Sequence, residues 1–241
     1  MASPTQTPGP GEVRAGHWWK EEDRVRDYVA KNDEAAGEIS DIFRLVTSVL
    51  PFEKEAPLRV LDIGSGHGVF AAAVLDAFPS ATAIGLDVSA AMMEEGRERM
   101  ARFGDRFRYH DGDFADGSLP AGLAGPFDLT VSSRAIHHIT PDAKRRLFAD
   151  VYQRTASGGC FFDLDNMRPR DAFLAGLYRQ VPDAGSAPRA ARPEGEPTTP
   201  SREHPDPVDE QLTSLREAGF AHVDIFWKRL GRSVIAGFKE P

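Results

Sequence analysis

The stretch LRVLDIGSGHGVF, residues 58–70, decides the fold of this chain. Residues 58–63 form a short apolar run that is typical of a strand buried on both faces. Glycines follow, and the pattern of residues 68–78 predicts a helix that Pro79 ends. In a parallel sheet, ligands bind beyond the carboxyl ends of the strands, where glycine lets the backbone approach them and a helix offers unpaired N–H groups. The stretch therefore predicts a ligand-binding loop at the edge of a sheet.

The alternation of strand and helix continues along the chain. The predicted strands cover residues 58–63, 81–88, 106–114, 127–133, 158–166, 221–230 and 232–239. The predicted helices cover residues 68–78, 89–103, 141–155, 170–181 and 208–220. Strands that alternate with helices of this length imply an α/β fold, in which helices cover both faces of a mostly parallel sheet. The last two strands are joined through Gly231 and predict an antiparallel hairpin at the end of the sheet.

Three regions differ in composition. Residues 1–16 are rich in Pro, Gly, Ser and Thr and are predicted to be a mobile tail. Residues 17–51 have helical periodicity and predict an N-terminal helical cap. Residues 52–241 then form one binding domain, which a proline-rich stretch at about 182–207 interrupts as a long loop or a lid.

Composition restricts the class of function. The chain has 241 residues, a net charge of −8 and a single cysteine, so no disulfide framework is expected and a reducing cytoplasm fits. The first residues lack the apolar centre of a secretory signal, and no run approaches the ~20 apolar residues that span a membrane. An acidic protein repels RNA unless its basic residues cluster, so a small-molecule substrate is favoured over a nucleic acid. A monomer and a homodimer both remain open.

The spacing of the loop glycines excludes two common ligands. A dinucleotide fingerprint has glycines at relative positions 1, 3 and 6. Here Gly64, Gly66 and Gly68 stand at positions 1, 3 and 5, and no Gly-Lys-Ser/Thr sequence follows that would cradle a phosphate. Asp87 ends the next strand, where a carboxylate can accept hydrogen bonds from both hydroxyls of a ribose. The loop is therefore predicted to bind a nucleoside without a pyrophosphate site.

Four motifs of this chain occur together in one known family. They are VLDIGSGHG (60–68), GLDVS (85–89), HDGDF (110–114) and FDLTVSSRAIHHI (127–139). Together they resemble the class I S-adenosylmethionine-dependent methyltransferases, over about residues 52–165. The closing LREAGF…FWKRLGRSVIAGFK is similar to the last helix and reversed strand pair of that family. The resemblance implies a Rossmann-like sheet of seven strands in the order 3-2-1-4-5-7-6, with an antiparallel last strand. It also implies S-adenosyl-L-methionine as cofactor and methyl transfer to a small molecule.

The resemblance further implies which residues hold the cofactor. The residues expected along its methionine and ribose part are Asp62, Gly64, Ser65, Gly66 and Gly68. Asp62 would lie near the ammonium group, and Asp87 would bind the ribose hydroxyls. The residues expected around adenine are Val88, Met92, Gly112, Asp113 and Phe114. Asp113 would bond the adenine amino group, and Ser133 would touch the methionine end, where the substrate site opens.

His137 and His138 form a pair that could suggest a metal site. Adjacent residues of a helix point about 100° apart, and no cysteine or carboxylate stands at a useful spacing, so no metal ion is predicted. One histidine is predicted to pack or to support the cofactor loop while the other faces the substrate, and either could act as a general base. The candidate substrate contacts are Trp18, Trp19, Arg134, His138 and Tyr178. The two tryptophans could equally anchor the core.

Three other functions remain open from the sequence. A tRNA-modifying transferase of the same class fits the last strands, although the acidic composition argues against it. A nicotinamide-dependent oxidoreductase is disfavoured by the glycine spacing and by the antiparallel hairpin. A non-catalytic protein that binds S-adenosylmethionine is compatible, since methyl transfer requires no particular side chain.

Overall fold

The computed structural model describes residues 36–181 and 203–241. The strands are β1 Arg59–Ile63, β2 Thr82–Asp87, β3 Phe107–Asp111, β4 Phe127–Ser133, β5 Thr155–Asn166, β6 His222–Arg229 and β7 Arg232–Phe238. The helices are α1 Ala36–Val49, α2 Val69–Ala77, α3 Ala90–Met100, α4 Pro141–Arg154, α5 Ala172–Tyr178 and α6 Val208–Ala218. Two 3₁₀ segments, Ala101–Arg106 and Ile136–His138, complete the described elements.

The seven strands form one sheet in the order β3-β2-β1-β4-β5-β7-β6. β1 to β5 pair in parallel, and β7 lies antiparallel between β5 and β6. The predicted fold class, strand order and reversed last strand are therefore confirmed. Parallel pairing brings the carboxyl ends of β1, β2, β4 and β5 to the same edge of the sheet, where the glycine loop begins.

Two apolar cores lie on opposite faces of the sheet. α1 and α2 pack on one face with Val60 and Val131, and α4 and α6 pack on the other with Leu61 and Ile235. Successive side chains of a strand point to opposite faces, so a strand such as β1 needs apolar residues at nearly every position. That requirement explains why the short apolar runs of this sequence became central strands.

Some predicted boundaries differ from the observed ones. The helix predicted over 89–103 ends at Met100 and tightens into 3₁₀ turns, within which Gly104 has φ +53° and ψ −131°. β5 begins at Thr155, three residues before the predicted start, because a register irregularity lets it pair with Phe127 before the regular ladder resumes. α5 is shorter than the predicted helix over 170–181.

The regional predictions lie partly outside the described residues. The tail at 1–16, Trp18 and Trp19 are not among them, and neither is the larger part of the proline-rich stretch at 182–207. In the described part of the helical cap, α1 ends at Val49, two residues before Pro51. The role of these regions stays a prediction.

Candidate functional site

The glycine loop after β1 adopts a left-handed backbone conformation, which residues with a side chain rarely take. Gly64, Gly66 and Gly68 have φ values of +64°, +54° and +83°, in the left-handed region that side chains disfavour. A Cβ on Gly64 would stand 2.3 Å from the Cβ of Ala135, and one on Gly66 would stand 2.8 Å from the Cε of Met92. The loop is therefore pressed against its neighbours, and its backbone forms one wall of a cleft.

Asp87, at the end of β2, holds this loop in place. Its Oδ2 accepts a hydrogen bond from the Gly66 N–H at 2.7 Å, and its Oδ1 accepts one from the Ser89 N–H at 2.8 Å. Burial raises the pKa of the carboxyl group, and these N–H bonds only partly oppose the rise. On the other side of the loop, the Tyr109 hydroxyl donates to the Gly66 carbonyl at 3.1 Å. Asp87 thus connects β2, the loop and the start of α3, and Ser89 caps that helix by accepting from the Met92 N–H.

Asp62 lies inside β1, directly beneath the loop, and is 1% exposed. Its Oδ2 accepts from the Ala71 N–H at 3.1 Å, in the first turn of α2. Its Oδ1 is buried and has no hydrogen-bond partner among the described residues. Burial raises the pKa of Asp62 to about 8, opposed by the Ala71 bond and assisted by the charge of Asp87. A cation placed beside this carboxyl group would favour its ionised form.

Asp62→Asn is expected to change how stability depends on pH. The folded-state pKa of about 8 lies above the ordinary aspartate value of 3.8, so between those pH values the native protein keeps a proton that the unfolded chain releases. The carboxyl group therefore lowers the free energy of unfolding as the pH rises from about 4 to about 8, whereas an amide does not.

Urea denaturation of both proteins at about pH 5 and about pH 8 measures this effect. The variant should gain stability relative to the wild type at the higher pH. An equal difference at the two pH values would show that Asp62 does not hold its proton in the folded protein.

The cleft brings together most of the predicted cofactor residues. Those that line it are Asp62, Gly64, Ser65, Gly66, Asp87, Val88, Met92, Asp113, Phe114 and Ser133. Arg134 and His138, which were predicted substrate contacts, also line it. The lining residues that sequence reasoning missed are His67, Val69, Phe70, Ala115, Ala135 and Ile139. These six residues lie within or directly beside the quoted motifs. That proximity to motif residues is the only sequence signal that could have indicated them.

Two predicted cofactor residues do not line the cleft. A Cβ on Gly68 would meet the Met100 sulfur at 2.7 Å, and one on Gly112 would meet the Pro120 Cγ at 2.7 Å, so both glycines allow close packing behind the walls. Asp113 does line the cleft, and its Oδ1 also accepts from the Ala115 N–H at 2.8 Å. That bond closes the turn after β3 and orients the carboxylate.

The cleft is narrow, with an interior of about 90 Å³. Pockets for small ligands usually measure about 300–1,000 Å³, so a nucleoside that enters has to displace side chains of the walls. Met92 is a flexible wall residue of the kind that adapts to a ligand. A second cavity of about 280 Å³, beneath α1, shares His67, Val69 and Arg134 with the cleft and extends the available space.

The residues of the cleft fit the nucleoside and amino-acid parts of S-adenosylmethionine. Asp62 and Ser65 line the cleft, and each has a buried side-chain oxygen, Oδ1 and Oγ, that lacks a hydrogen-bond partner among the described residues and would be satisfied by a polar ligand. The glycine backbone leaves no Cβ between loop and ligand.

The two adjacent histidines have different surroundings. His138 lines the cleft and is half-buried, and burial together with the charge of His137 lowers its pKa to about 4. His137 is 4% exposed and lies behind the wall, where its Nδ1 is 2.5 Å from Oδ1 of Asp165. The prediction that one histidine supports the loop while the other faces the ligand stays a prediction, but the geometry assigns the buried position to His137.

Tyr178 lies apart from the cleft. It lines a third cavity of about 400 Å³ at the carboxyl end of β5, together with Asn166, Met167 and the turn between β6 and β7. The Lys228 Nζ stands 5.6 Å from the centre of its ring. β4 and β5 are neighbours, so the cavity beside Tyr178 and the cleft beside Ser133 open on the same edge of the sheet.

The part of the chain that the structure describes, residues 36–181 and 203–241, shows neither a metal-ligand cluster nor a membrane-spanning helix. No group of three or more His, Cys, Asp or Glu side chains within these ranges is arranged to hold a metal ion. Over the same ranges, no helix has the length and apolar character that crossing a membrane requires.

Comparison with known proteins identifies the family. A family profile described as a methyltransferase domain matches residues 60–159. A demethylmenaquinone methyltransferase from Roseiflexus castenholzii is 30% identical over 184 residues, which cover 73% of this chain and 74% of that protein. Bovine acetylserotonin O-methyltransferase is 26% identical over 155 residues, or 61% of this chain, but the match spans only 44% of the bovine protein.

A solved structure shows the same fold. Human N-acetylserotonin methyltransferase in complex with S-adenosylmethionine superimposes with a TM-score of 0.63 at 17% identity, over 97% of this chain and 61% of that one. The profile match falls on β1 to β5, which carry the cleft. The chain therefore belongs to the class I S-adenosylmethionine-dependent methyltransferases, whose cofactor is S-adenosyl-L-methionine.

Proposed function

We propose that this protein transfers the methyl group of S-adenosylmethionine to a nucleophilic atom of a small organic molecule. The observation that carries the proposal is the cleft at the ends of β1, β2 and β4, which the glycine loop, Asp87, Asp62 and Ser65 line. Asp62 and Ser65 each have a buried polar atom without a hydrogen-bond partner among the described residues. Methyltransferases that act on acetylserotonin and demethylmenaquinone are among the relatives of this chain, which supports a small acceptor. The acidic net charge of −8 supports the same choice over a nucleic acid.

Different cleft residues would bind the ribose, the methionine part and the adenine of the cofactor. Asp87 would accept hydrogen bonds from the ribose hydroxyls. Each of its carboxylate oxygens already accepts one backbone N–H bond, from Gly66 or from Ser89, and can accept a second. Asp62 and Ser65 would face the methionine part, and Asp113 and Phe114 the adenine. Binding a cationic ammonium group beside Asp62 would lower the raised pKa of its carboxyl group and release a proton.

The protein contributes orientation and proton transfer. S-adenosylmethionine, when bound, supplies a methyl group on a positively charged sulfur, and the protein then has to align the acceptor with it. His138 lines the cleft and is neutral at physiological pH, so its ring can accept a hydrogen bond from a hydroxyl or amine acceptor, and its low pKa of about 4 makes it only a weak base for the proton that the acceptor releases. The cavity beside Tyr178 is a second space on the same sheet edge and supports an acceptor site near β5.

We further propose that the protein works in the cytoplasm as a monomer or homodimer. The single cysteine, Cys160, is buried and unpaired, which suits a reducing compartment.

Isothermal titration calorimetry with S-adenosylhomocysteine tests the proposed function. The wild-type protein should bind one equivalent of S-adenosylhomocysteine, and NAD⁺ should give no heat because the loop lacks the dinucleotide spacing. Folded protein that fails to bind S-adenosylhomocysteine would overturn the proposal. With binding established, a panel of small phenols, carboxylic acids and amines can be screened for release of S-adenosylhomocysteine, which identifies the acceptor atom.

A further inference from the structure

A chain of buried polar contacts lies directly behind the cleft wall that carries His138. It begins at Asp165, near the end of β5, which is 1% exposed. One carboxylate oxygen of Asp165 accepts from the His137 backbone N–H at 2.7 Å, and the other is 2.5 Å from Nδ1 of the His137 ring. The second oxygen also accepts from the Asn166 N–H at 2.7 Å. The Asp165 carboxylate therefore contacts both the backbone N–H and the ring of His137 at hydrogen-bonding distance.

His137 in turn contacts two other parts of the structure, the His138 ring and the segment that contains His204. Its ring lies against the His138 ring, with centroids 4.0 Å apart, and His138 faces the cleft. Its carbonyl accepts from the His204 N–H at 2.6 Å, which fastens the described end of the proline-rich stretch. The cleft wall and the chain segment 203–206 thus meet at one residue.

A second buried group secures the same segment. Lys144 of α4 is 1% exposed, and its ammonium group donates to the His204 carbonyl and, at 2.9 Å, to Oδ2 of Asp206. The Arg168 N–H, just after β5, donates to the Asp206 carbonyl at 3.1 Å. The segment is therefore bound to α4, to β5 and to the turn that carries the histidines.

The charges in this cluster differ between two aspartates on the same face of β5. Burial by itself raises the pKa of Asp165, but the charge and hydrogen bond of His137 outweigh it and lower the pKa. Burial also lowers the pKa of His137, and Asp165 outweighs that effect and raises it. Asp163, two residues earlier, has no hydrogen-bond partner among the described residues, and burial and the charge of Asp165 raise its pKa well above the usual range. The surroundings therefore favour the charged forms of Asp165 and His137 and the protonated form of Asp163.

We propose that Asp165 and His137 are positioning residues, whose buried ion pair fixes the turn at 136–138 so that His138 stands in the cleft wall and the segment 203–206 is held against it. Neither residue lines the cleft, so neither acts on the ligand directly. The ion pair needs both partners, because a buried charge that loses its partner is strongly destabilised. The inference rests on the proposed function only where S-adenosylhomocysteine is used to probe the cleft.

The protonation of the two rings tests the proposal in the wild-type protein, without any substitution. Nitrogen-15 NMR of the histidine side chains should show His137 protonated on both nitrogens at neutral pH, titrating above the ordinary range near 6.5. His138 should be neutral and titrate far below that range, at about 4. The groups that face His137 and contribute to this result are Asp165, Glu203, Lys144 and His138. A neutral His137 at pH 7 would overturn the proposal.

Asp165→Asn and Asp163→Asn form a matched pair of variants. Both replace a fully buried aspartate of β5 by the amide of the same shape, but only Asp165 is hydrogen-bonded to His137, whereas Asp163 has no hydrogen-bond partner among the described residues. Asp165→Asn should return His137 to its neutral form, raise the exchange rate of the His204 amide hydrogen about tenfold or more, and weaken S-adenosylhomocysteine binding about tenfold. Asp163→Asn should leave all three quantities within about twofold of the wild type.

The outcomes separate this proposal from the proposed function. Wild-type protein that does not bind S-adenosylhomocysteine contradicts the proposed function, while the NMR and exchange measurements still decide on the ion pair. Binding in the wild type with unchanged His204 exchange in folded Asp165→Asn contradicts the positioning role alone. Should Asp165→Asn fail to fold, the protonation state of His137 in the wild type decides.

Discussion

Asp87→Ala is expected to weaken the binding of S-adenosylhomocysteine by about 100-fold or more. The substitution removes the carboxylate that the ribose hydroxyls would use, and it leaves the N–H groups of Gly66 and Ser89 without their acceptor. A hydrogen bond to a charged group contributes about 1.5–3 kcal/mol, so the loss of the two bonds to the ribose hydroxyls would cost about 3–6 kcal/mol of binding free energy. Each 1.4 kcal/mol is about a tenfold change in affinity. Calorimetric titration of the purified variant measures the loss.

Asp111→Ala provides the matched control. Asp111 stands beside Asp87 in the register of β2 and β3, but its side chain is exposed and does not line the cleft. This variant should bind S-adenosylhomocysteine within about twofold of the wild type, since exposed substitutions are usually close to neutral. Asp87→Ala protein that is folded by circular dichroism and binds as tightly as the control would show that Asp87 takes no part in ligand binding.

Gly64→Ala is expected to lower the free energy of unfolding by about 2–5 kcal/mol and to weaken ligand binding. A left-handed backbone costs a residue with a Cβ about 1–2 kcal/mol. The added Cβ would also stand 2.3 Å from that of Ala135, and overpacking of this kind costs about 1–3 kcal/mol. Since Ala135 lies in the cleft wall, relief of the clash should displace that wall from the loop. Urea denaturation and calorimetry measure the two effects.

Gly158→Ala separates the two causes. Gly158 also has a positive φ, +73°, but a Cβ there would meet nothing within 4 Å. This variant should show the backbone cost of about 1–2 kcal/mol and unchanged ligand binding. If the two variants lose equal stability, the contact with Ala135 is not as tight as the structure indicates.

The motifs predicted those parts of the site that are local in sequence. Gly64, Gly66 and Asp87 lie at strand ends, where short segments of chain decide the conformation, and the structure brings them to one cleft. The order of the strands followed from the family resemblance, because pairing in a parallel sheet joins distant segments whose partners no short motif specifies. The glycine spacing also excluded a dinucleotide without any knowledge of the fold.

The contacts behind the cleft could not be predicted in this way. His137 and Asp165 are 28 residues apart, and Lys144 and Asp206 are 62 apart. In the sequence no carboxylate stands at metal-ligand spacing from the histidine pair, and in the structure β5 brings the Asp165 carboxylate to the His137 ring. A sequence signal existed in FFDLDN, where two acids interrupt an otherwise apolar strand, because acids in a buried strand require partners.

By itself, the sequence determined where the glycine loop turns and which strand ends carry the cleft. Left-handed glycines and alternating apolar runs act over a few residues and need no tertiary contact to be recognised. Only the tertiary structure decided the charge of the acids. Asp163 and Asp165 share one strand and nearly the same burial, yet the pKa of the first is raised and that of the second is lowered, because His137 pairs with only the second. Desolvation and pairing depend on what surrounds a side chain, and folding alone brings those neighbours together.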